Sequence, residues 1–310
     1  MSDTASLTEH SNPSAADLLK GLALGAFAAL IWGGYFAFSR AGVQAGLEPA
    51  DVVLIRFAVA GLMMTPFLLQ AGLRDLGGVG WGRGAVLALL IGPLSIFASV
   101  GGYTFAPMAH GTVIQPATVT VSALLLSAAL LGETLRWGRV LGVALILLGL
   151  CAIAGPALWS GDAEALTGDA RFVLAGLMWS GFTLFTRAWR LGPMQTVAAV
   201  SVLSAVVYTP WHLTMDTLER IAALSPWMLV GQVLVQGVLA GVVAILAFTR
   251  AVEILGAGRA GLFTSLVPAC GVLIGIPLTG EAPTALQLAG LALVSFGLLW
   301  AMGILRLRRR

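Results

Sequence analysis

No acidic residue stands in the middle of any long apolar run of this chain. All 14 Asp and Glu fall in tails, loops or the ends of those runs. Proton relays and cation sites inside a membrane usually need a buried carboxylate. Metal cations and quaternary drugs are therefore disfavoured as cargo, and a neutral or zwitterionic molecule is favoured. Charge of either sign is scarce, at 10% of residues, where a soluble domain carries about 25%. Only two cysteines occur, Cys151 and Cys270, both inside apolar runs. With no CxxC or Cys/His cluster, a disulfide or metal site is not expected, and both read as small packing residues. No nucleotide-binding loop, HExxH, paired intramembrane Asp or Ser/His arrangement is found. ATP is thus not a direct energy source, an enzyme is disfavoured, and no cofactor is expected. Alternating ten-residue strand patterns are lacking too, which argues against an outer-membrane barrel. Residues 1–16 are polar and hold no Lys or Arg, unlike the basic start of a signal peptide. They read as a short disordered cytoplasmic tail.

What the chain does have is apolar length. Hydrophobic residues make up 58%, and mean hydropathy is +0.95. Ten runs can each cross a hydrocarbon core about 30 Å thick as a helix. They lie near 18–40, 50–71, 84–106, 109–131, 137–158, 170–189, 194–213, 227–250, 257–279 and 284–305. Little chain remains between them for a soluble domain.

Threading the runs through a bilayer from a cytoplasmic N-terminus separates the basic residues. Lys20, Arg74, Arg83, Arg136, Arg139, Arg187, Arg190, Arg250, Arg259, Arg306, Arg308, Arg309 and Arg310 fall inside; Arg40, Arg171 and Arg220 fall outside. This bias obeys the positive-inside rule and predicts that both termini are cytoplasmic. The tail Arg306–Arg310 can also touch anionic lipid. A net charge of +3 gives no reason to expect nucleic acid as a partner.

The two halves of the chain echo one another. Leu30-Ile-Trp-Gly-Gly-Tyr-Phe-Ala-Phe-Ser-Arg-Ala41 aligns with Leu177-Met-Trp-Ser-Gly-Phe-Thr-Leu-Phe-Thr-Arg-Ala188 at an offset of 147. Thr65-Pro66 matches Thr209-Pro210, Gly132-Glu133 matches Gly280-Glu281, and Gly142 and Gly149 match Gly290 and Gly297. Each half holds five spans. Five is odd, so the second half enters the membrane from the opposite side. Inverted repeats of this kind are a common device of secondary transporters, with substrate bound near the midplane between the halves. The resulting division is a tail 1–16, a first five-helix repeat 17–158, an external linker 159–168, a second repeat 169–305 and a basic tail 306–310.

These residues resemble the drug/metabolite transporter superfamily, in its ten-helix EamA-type branch. The resemblance rests on residues 30–34 and their echo at 177–181, on Arg56, on the Gly-Glu pairs and on the Gly-rich fifth and tenth spans. Within the superfamily the chain is most similar to bacterial exporters of amino acids, notably aromatic ones. The resemblance implies a cavity between spans 1–4 and 6–9, with spans 5 and 10 as packing supports, in the bacterial inner membrane. One departure is visible. Pro116 stands 17 residues before Glu133, whereas Pro268 stands 13 before Glu281, so spans four and nine need not kink alike.

Candidate substrate-binding residues follow from polarity and depth. Arg56 is the one strongly ionisable residue well inside a span. A buried Arg is costly unless paired or hydrated. It can snorkel or bind a helix-end carbonyl, meet a substrate carboxylate, or serve as a gate contact. Seven of the nine tryptophans lie near span ends, as an interfacial belt would. Trp32 and Trp179 instead precede a span-ending Arg by eight residues, or about 12 Å of helix, near mid-depth. They either pack against neighbours or line the cavity and stack on the substrate. Trp179 is favoured, because Ser180 and Thr183 offer polar partners nearby. Tyr35 joins this set. Tyr103 and Gln115 carry polar groups that need partners in hydrocarbon. His110 reads as a solvated residue at the turn between spans three and four, with a pH sensor as the alternative. Spaced glycines such as Gly21/Gly25 and Gly271/Gly275 indicate close helix packing, with a homo-oligomer face as the alternative.

The expectation is an all-α membrane protein of ten transmembrane helices in two inverted repeats. It is a secondary transporter moving an amino acid outward by alternating access. The alternatives are export of another metabolite or drug within the same superfamily and, further back, a channel, set back by the inverted repeat and the lack of a charged ring or filter-like loop.

Overall fold

The structure, a computed structural model, describes residues 14–131, 137–160, 162–255, 260 and 263–301. Gly132, Glu133, Arg136, Arg259 and the tail 306–310 lie outside them. Among the described residues the regular structure is helical throughout. Helix α1 spans Ala15–Gln44, α2 Pro49–Ala71, α3 Trp81–Ile91, α4 Pro93–Gly102, α5 Met108–Leu131, α6 Trp137–Ser160, α7 Ala163–Ala188 and α8 Pro193–His212. A short helix α9, Met215–Ala222, precedes α10, Pro226–Gln232. A π-helical segment, Val233–Val243, runs straight on into α11, Ala244–Leu255; α12, Val267–Thr279, and α13, Ala285–Ala301, follow.

Apart from the short α9, the described helices form ten rods, because α3 with α4 make one and α10, the π segment and α11 make another. Among the described residues, five helices are long and apolar enough to cross a membrane: Ala15–Gln44, Pro49–Ala71, Trp81–Gly102, Pro193–His212 and Pro226–Leu255. Val140–Ile153, Val267–Thr279 and Ala285–Trp300 are shorter and apolar. The ends of the rods meet in two sets. A Cβ on Gly21 would strike Leu255, and one on Gly138 would face Trp300, so the start of α1 lies with the end of α11 and the start of α6 with the end of α13. We call this the near end. At the far end, Arg40 meets Glu281, His110 meets Asp169 and Arg220 meets Asp51.

The packing repeats itself under a shift of five spans. Helix α1 packs on the π segment, α11 and α12, as α7 packs on α4 and α5; α2 pairs with α8, and α6 with α13. The α6–α13 seam shows the two-fold directly. A Cβ on Gly149 would sit 2.6 Å from the Gly290 carbonyl oxygen, and one on Gly297 would sit 2.8 Å from that of Gly142. Gly142 and Gly290 are repeat mates, as are Gly149 and Gly297. Such crossed contact between equivalent residues is the mark of an isologous interface. Lacking side chains, these glycines let the backbones approach closely enough for dispersion to hold helices in lipid. Ile146, Ile153, Val294 and Leu298 fill the seam and pack with Val113 and Ala117 of α5. The main core instead runs through α1, α2, α4, α7, α8 and the π segment. Spans five and ten are thus peripheral.

Local chemistry explains the element ends. Ser14 accepts from the Asp17 N–H and caps α1, so the helix starts at Ala15, inside the stretch expected as tail. The expected linker 159–168 is mostly helix as well. Helix α6 reaches Ser160, and Asp162 caps α7 through the Ala165 N–H. The third span breaks at Gly92, where Pro93 has no N–H to continue the helix and is at home in the first turn of α4. Pro116 lies inside a continuous α5, while Pro268 opens α12. The two prolines are therefore not equivalent, as their unequal spacing implied.

Candidate functional site

A cleft opens between the repeats at mid-depth. Arg56, Phe57 and Ala60 of α2 line it, with Ile91 of α3, Trp179 of α7, Val197, Val200 and Ser201 of α8, Gly241 of the π segment and Ile245 of α11. Its volume is about 350 Å³ including the open mouth. The interior is narrow, with room for little more than one water. A metabolite the size of an amino acid fits only when the walls part.

One wall group is charged. Arg56 sits on the face of α2 that meets the π segment and is 7% exposed. It donates to the Ala240 carbonyl at 3.2 Å and, at the long distance of 3.5 Å, to that of Gln236. Its guanidinium carbon lies 5.3 Å from the centre of the Tyr35 ring and 6.0 Å from that of Phe57, within reach of cation–π attraction. A π-helix bonds i to i+5 and commonly marks functional sites. Here its carbonyls serve as the partners of a buried cation. Among the described residues, no carboxylate pairs with Arg56. Buried charges are normally paired, so this guanidinium carries an unmet demand for an anion.

Beside it stand the two mid-depth tryptophans. The rings of Trp32 and Trp179 meet edge to face, with centroids 6.5 Å apart and planes at 82°. Phe248 tilts against Trp32, and Phe182 against Trp179. Trp179 lines the cleft and Trp32 backs it.

The other sequence candidates lie outside the cleft lining, though the Tyr35 ring faces Arg56. Tyr35 is buried and donates to Ser99 Oγ at 3.0 Å, which in turn donates to Gln115 Oε1 at 2.7 Å. Tyr35 and Gln115 are thus brought together, on the far side of the cleft, in a chain that joins α1, α4 and α5. Tyr103 is fully buried against Phe172. Thr183 is exposed and bonds its own helix at the Trp179 carbonyl, a common use of Thr in membrane helices. Neither reaches the cleft lining.

His110 is a correction. It is not a solvated turn residue but lies in the first turn of α5, 4% exposed, with Nδ1 2.7 Å from Asp169 Oδ1 of α7. The two residues are 59 apart in sequence, so spacing gives no hint of the pairing. Ser201 and the π segment also escape the sequence reading. Ser201 sits in a run of small and β-branched residues that looks like ordinary packing. Helix α9 falls between the seventh and eighth apolar runs. Thr214 caps it through the Thr217 N–H, and its Arg220 makes a two-pronged contact with fully buried Asp51, at 2.7 and 2.9 Å. That bond and the nearby charges of Asp51, Glu48 and Asp216 push the Arg220 pKa up from its ordinary value.

Comparison with known proteins agrees with this architecture. A crystal structure 19% identical in sequence superposes with a TM-score of 0.61, covering 93% of this chain and 97% of the other. That likeness is one of fold. No curated protein matches the chain in sequence. The model of the EamA-like transporter family matches twice, over residues 19–155 and 166–303. Each match spans one five-helix repeat, and together they take in nearly the whole chain, which belongs to the EamA-like transporter family of membrane proteins.

Proposed function

We propose that the protein is a secondary transporter that exports small carboxylate-bearing metabolites by alternating access. Amino acids are the leading class, and aromatic ones the specific choice. The observation that carries this reading is Arg56, a buried cation without an acidic partner among the described residues, on the wall of a cleft between two inverted repeats. A substrate carboxylate supplies the missing charge through a charge-assisted, two-pronged hydrogen bond. The remaining walls are apolar apart from Ser201, which suits an apolar or aromatic body stacked on Trp179. The absence of an acid from the lining leaves an ammonium group to carbonyls, the Ser201 hydroxyl and the Trp179 face.

The positive-inside bias supports a cytoplasmic near end, and with it an inner-membrane protein whose termini both face the cytoplasm. Substrate then enters from the near end and leaves at the far end. The test is counterflow in proteoliposomes, using a panel of labelled amino acids with and without a pH gradient. A carrier exchanges labelled for unlabelled substrate and saturates. Failure of every aromatic amino acid to exchange, with another carboxylate succeeding, would narrow the reading to the carboxylate alone. Non-saturating flux would favour a channel.

A further inference from the structure

We propose that Arg40 and Glu281 are the far-side gate of the transport cycle, latched shut in this structure. The inference rests on the transporter reading, and it concerns residues outside the cleft.

Beside the cleft-lining helices α2 and α8, two groups of packed helices meet. One is α1, the π segment with α11, and α12; the other is α4, α5 and α7. Alternating access requires the groups to part at one end while they close at the other. At the far end they are fastened. Arg40 of α1 donates from Nε to Glu281 Oε1 at 2.6 Å, and its NH2 lies 2.5 Å from the same oxygen. Gln44 donates to Oε1 at 2.8 Å. Two further bonds cross to the other group. The Met108 N–H at the start of α5 donates to Glu281 Oε2 at 2.8 Å, and Arg40 donates to the Tyr103 carbonyl at the end of α4. One ion pair thereby holds the ends of α1 and α12 against the α4–α5 turn.

Beneath it, the Tyr35–Ser99–Gln115 chain crosses the same divide. So do two close approaches of α12 to α5: a Cβ on Gly275 would strike the Met108 sulfur, and one on Gly271 would strike Thr112. The near end has no such latch among the described residues. Its ion pair, Arg250 to Glu253, stays within α11. Arg40 and Glu281 are 20% and 26% exposed, so water can take over their bonds when the groups separate. A deeply buried pair could not be broken so cheaply. That suits a latch that must open on every turnover.

The experiment uses the full chain with Cys151 and Cys270 replaced by Ser and with Ser201→Cys as a reporter in the cleft. An impermeant maleimide is applied from either face, in right-side-out and inverted membrane vesicles. Labelling through the far end is expected to be slow, and Arg40→Gln or Glu281→Gln should each speed it by about fivefold. Arg40→Lys, which keeps the charge and a donor for the Tyr103 carbonyl, should leave it slow, a contrast that general loosening of the fold would not give. Unchanged far-side labelling in both Gln variants, or a rise confined to the near side, would overturn the proposal. No substrate is needed. An error about the cargo therefore leaves this result standing, and counterflow of an amino acid does not rescue a failed gate.

Discussion

Trp32 and Trp179, 147 residues apart, touch edge to face while holding the same place in their respective repeats. Two equivalent residues can meet each other only on the axis that exchanges the halves. The crossed contacts Gly149–Gly290 and Gly142–Gly297 obey the same axis at the rim of the molecule. Centre and edge thus report one two-fold, and the cleft lies beside it.

The tryptophan pair gives the first test. Trp179 is only partly buried, at the cleft wall, so Trp179→Ala should cost less than the roughly 3–5 kcal/mol of a fully buried aromatic and leave the protein folded. Transport should nevertheless fall at least about tenfold as the stacking wall is lost, with Trp179→Phe retaining most activity. Membrane abundance and counterflow, measured together, decide it. Wild-type rates in Trp179→Ala would remove the residue from the site.

Arg56 gives the second. A hydrogen bond to a charged group is worth about 1.5–3 kcal/mol. Arg56→Gln should therefore weaken carboxylate substrates by roughly 10- to 150-fold and leave their amides nearly unaffected, read as competition against labelled substrate. Equal losses for acid and amide would make Arg56 a strut for the π segment and nothing more.

At the edge, Gly290→Ala places a Cβ 2.7 Å from the Gly149 carbonyl oxygen and also against Ile153. Backbone cannot yield as a side-chain tip can. Overpacking of this kind costs about 1–3 kcal/mol, so melting in detergent should shift downward, with a similar loss for Gly149→Ala. The open Gly82 position, where a Cβ meets nothing, should tolerate Ala.

The Arg220–Asp51 pair should respond unequally to loss of either partner. Asp51 is fully buried and Arg220 is not. Arg220→Gln strands a buried carboxylate, whereas Asp51→Asn removes the buried charge and keeps the cap on the Glu48 N–H. The thermal shift should be larger for Arg220→Gln, by about a factor of two. The reverse order would mean that Arg220 is not what sustains the buried Asp51 side chain.

Much of the architecture is legible in the sequence because bilayers enforce it. Ten apolar runs, their alternation and the glycine spacing of spans five and ten are set by hydrocarbon thickness and close approach, and these are local properties. Trp32 and Trp179 stood out by depth alone. What the sequence hides is pairing at long range. The Asp169 partner of His110 and the Asp51 partner of Arg220 come from other spans. The partners of Arg56 are backbone carbonyls exposed by a π turn, which no residue type announces. Gln115 was legible as a polar group in need of a partner, but its tie through Ser99 to Tyr35 was not.

A contact that sits on the axis is its own mirror image. On the alternating-access reading, whatever the tryptophan pair contributes to the inward-facing form it contributes to the outward-facing form as well, so weakening it should leave the balance between the two forms alone. A preference for one direction has to originate off-centre, in chemistry that one mouth owns and the other lacks.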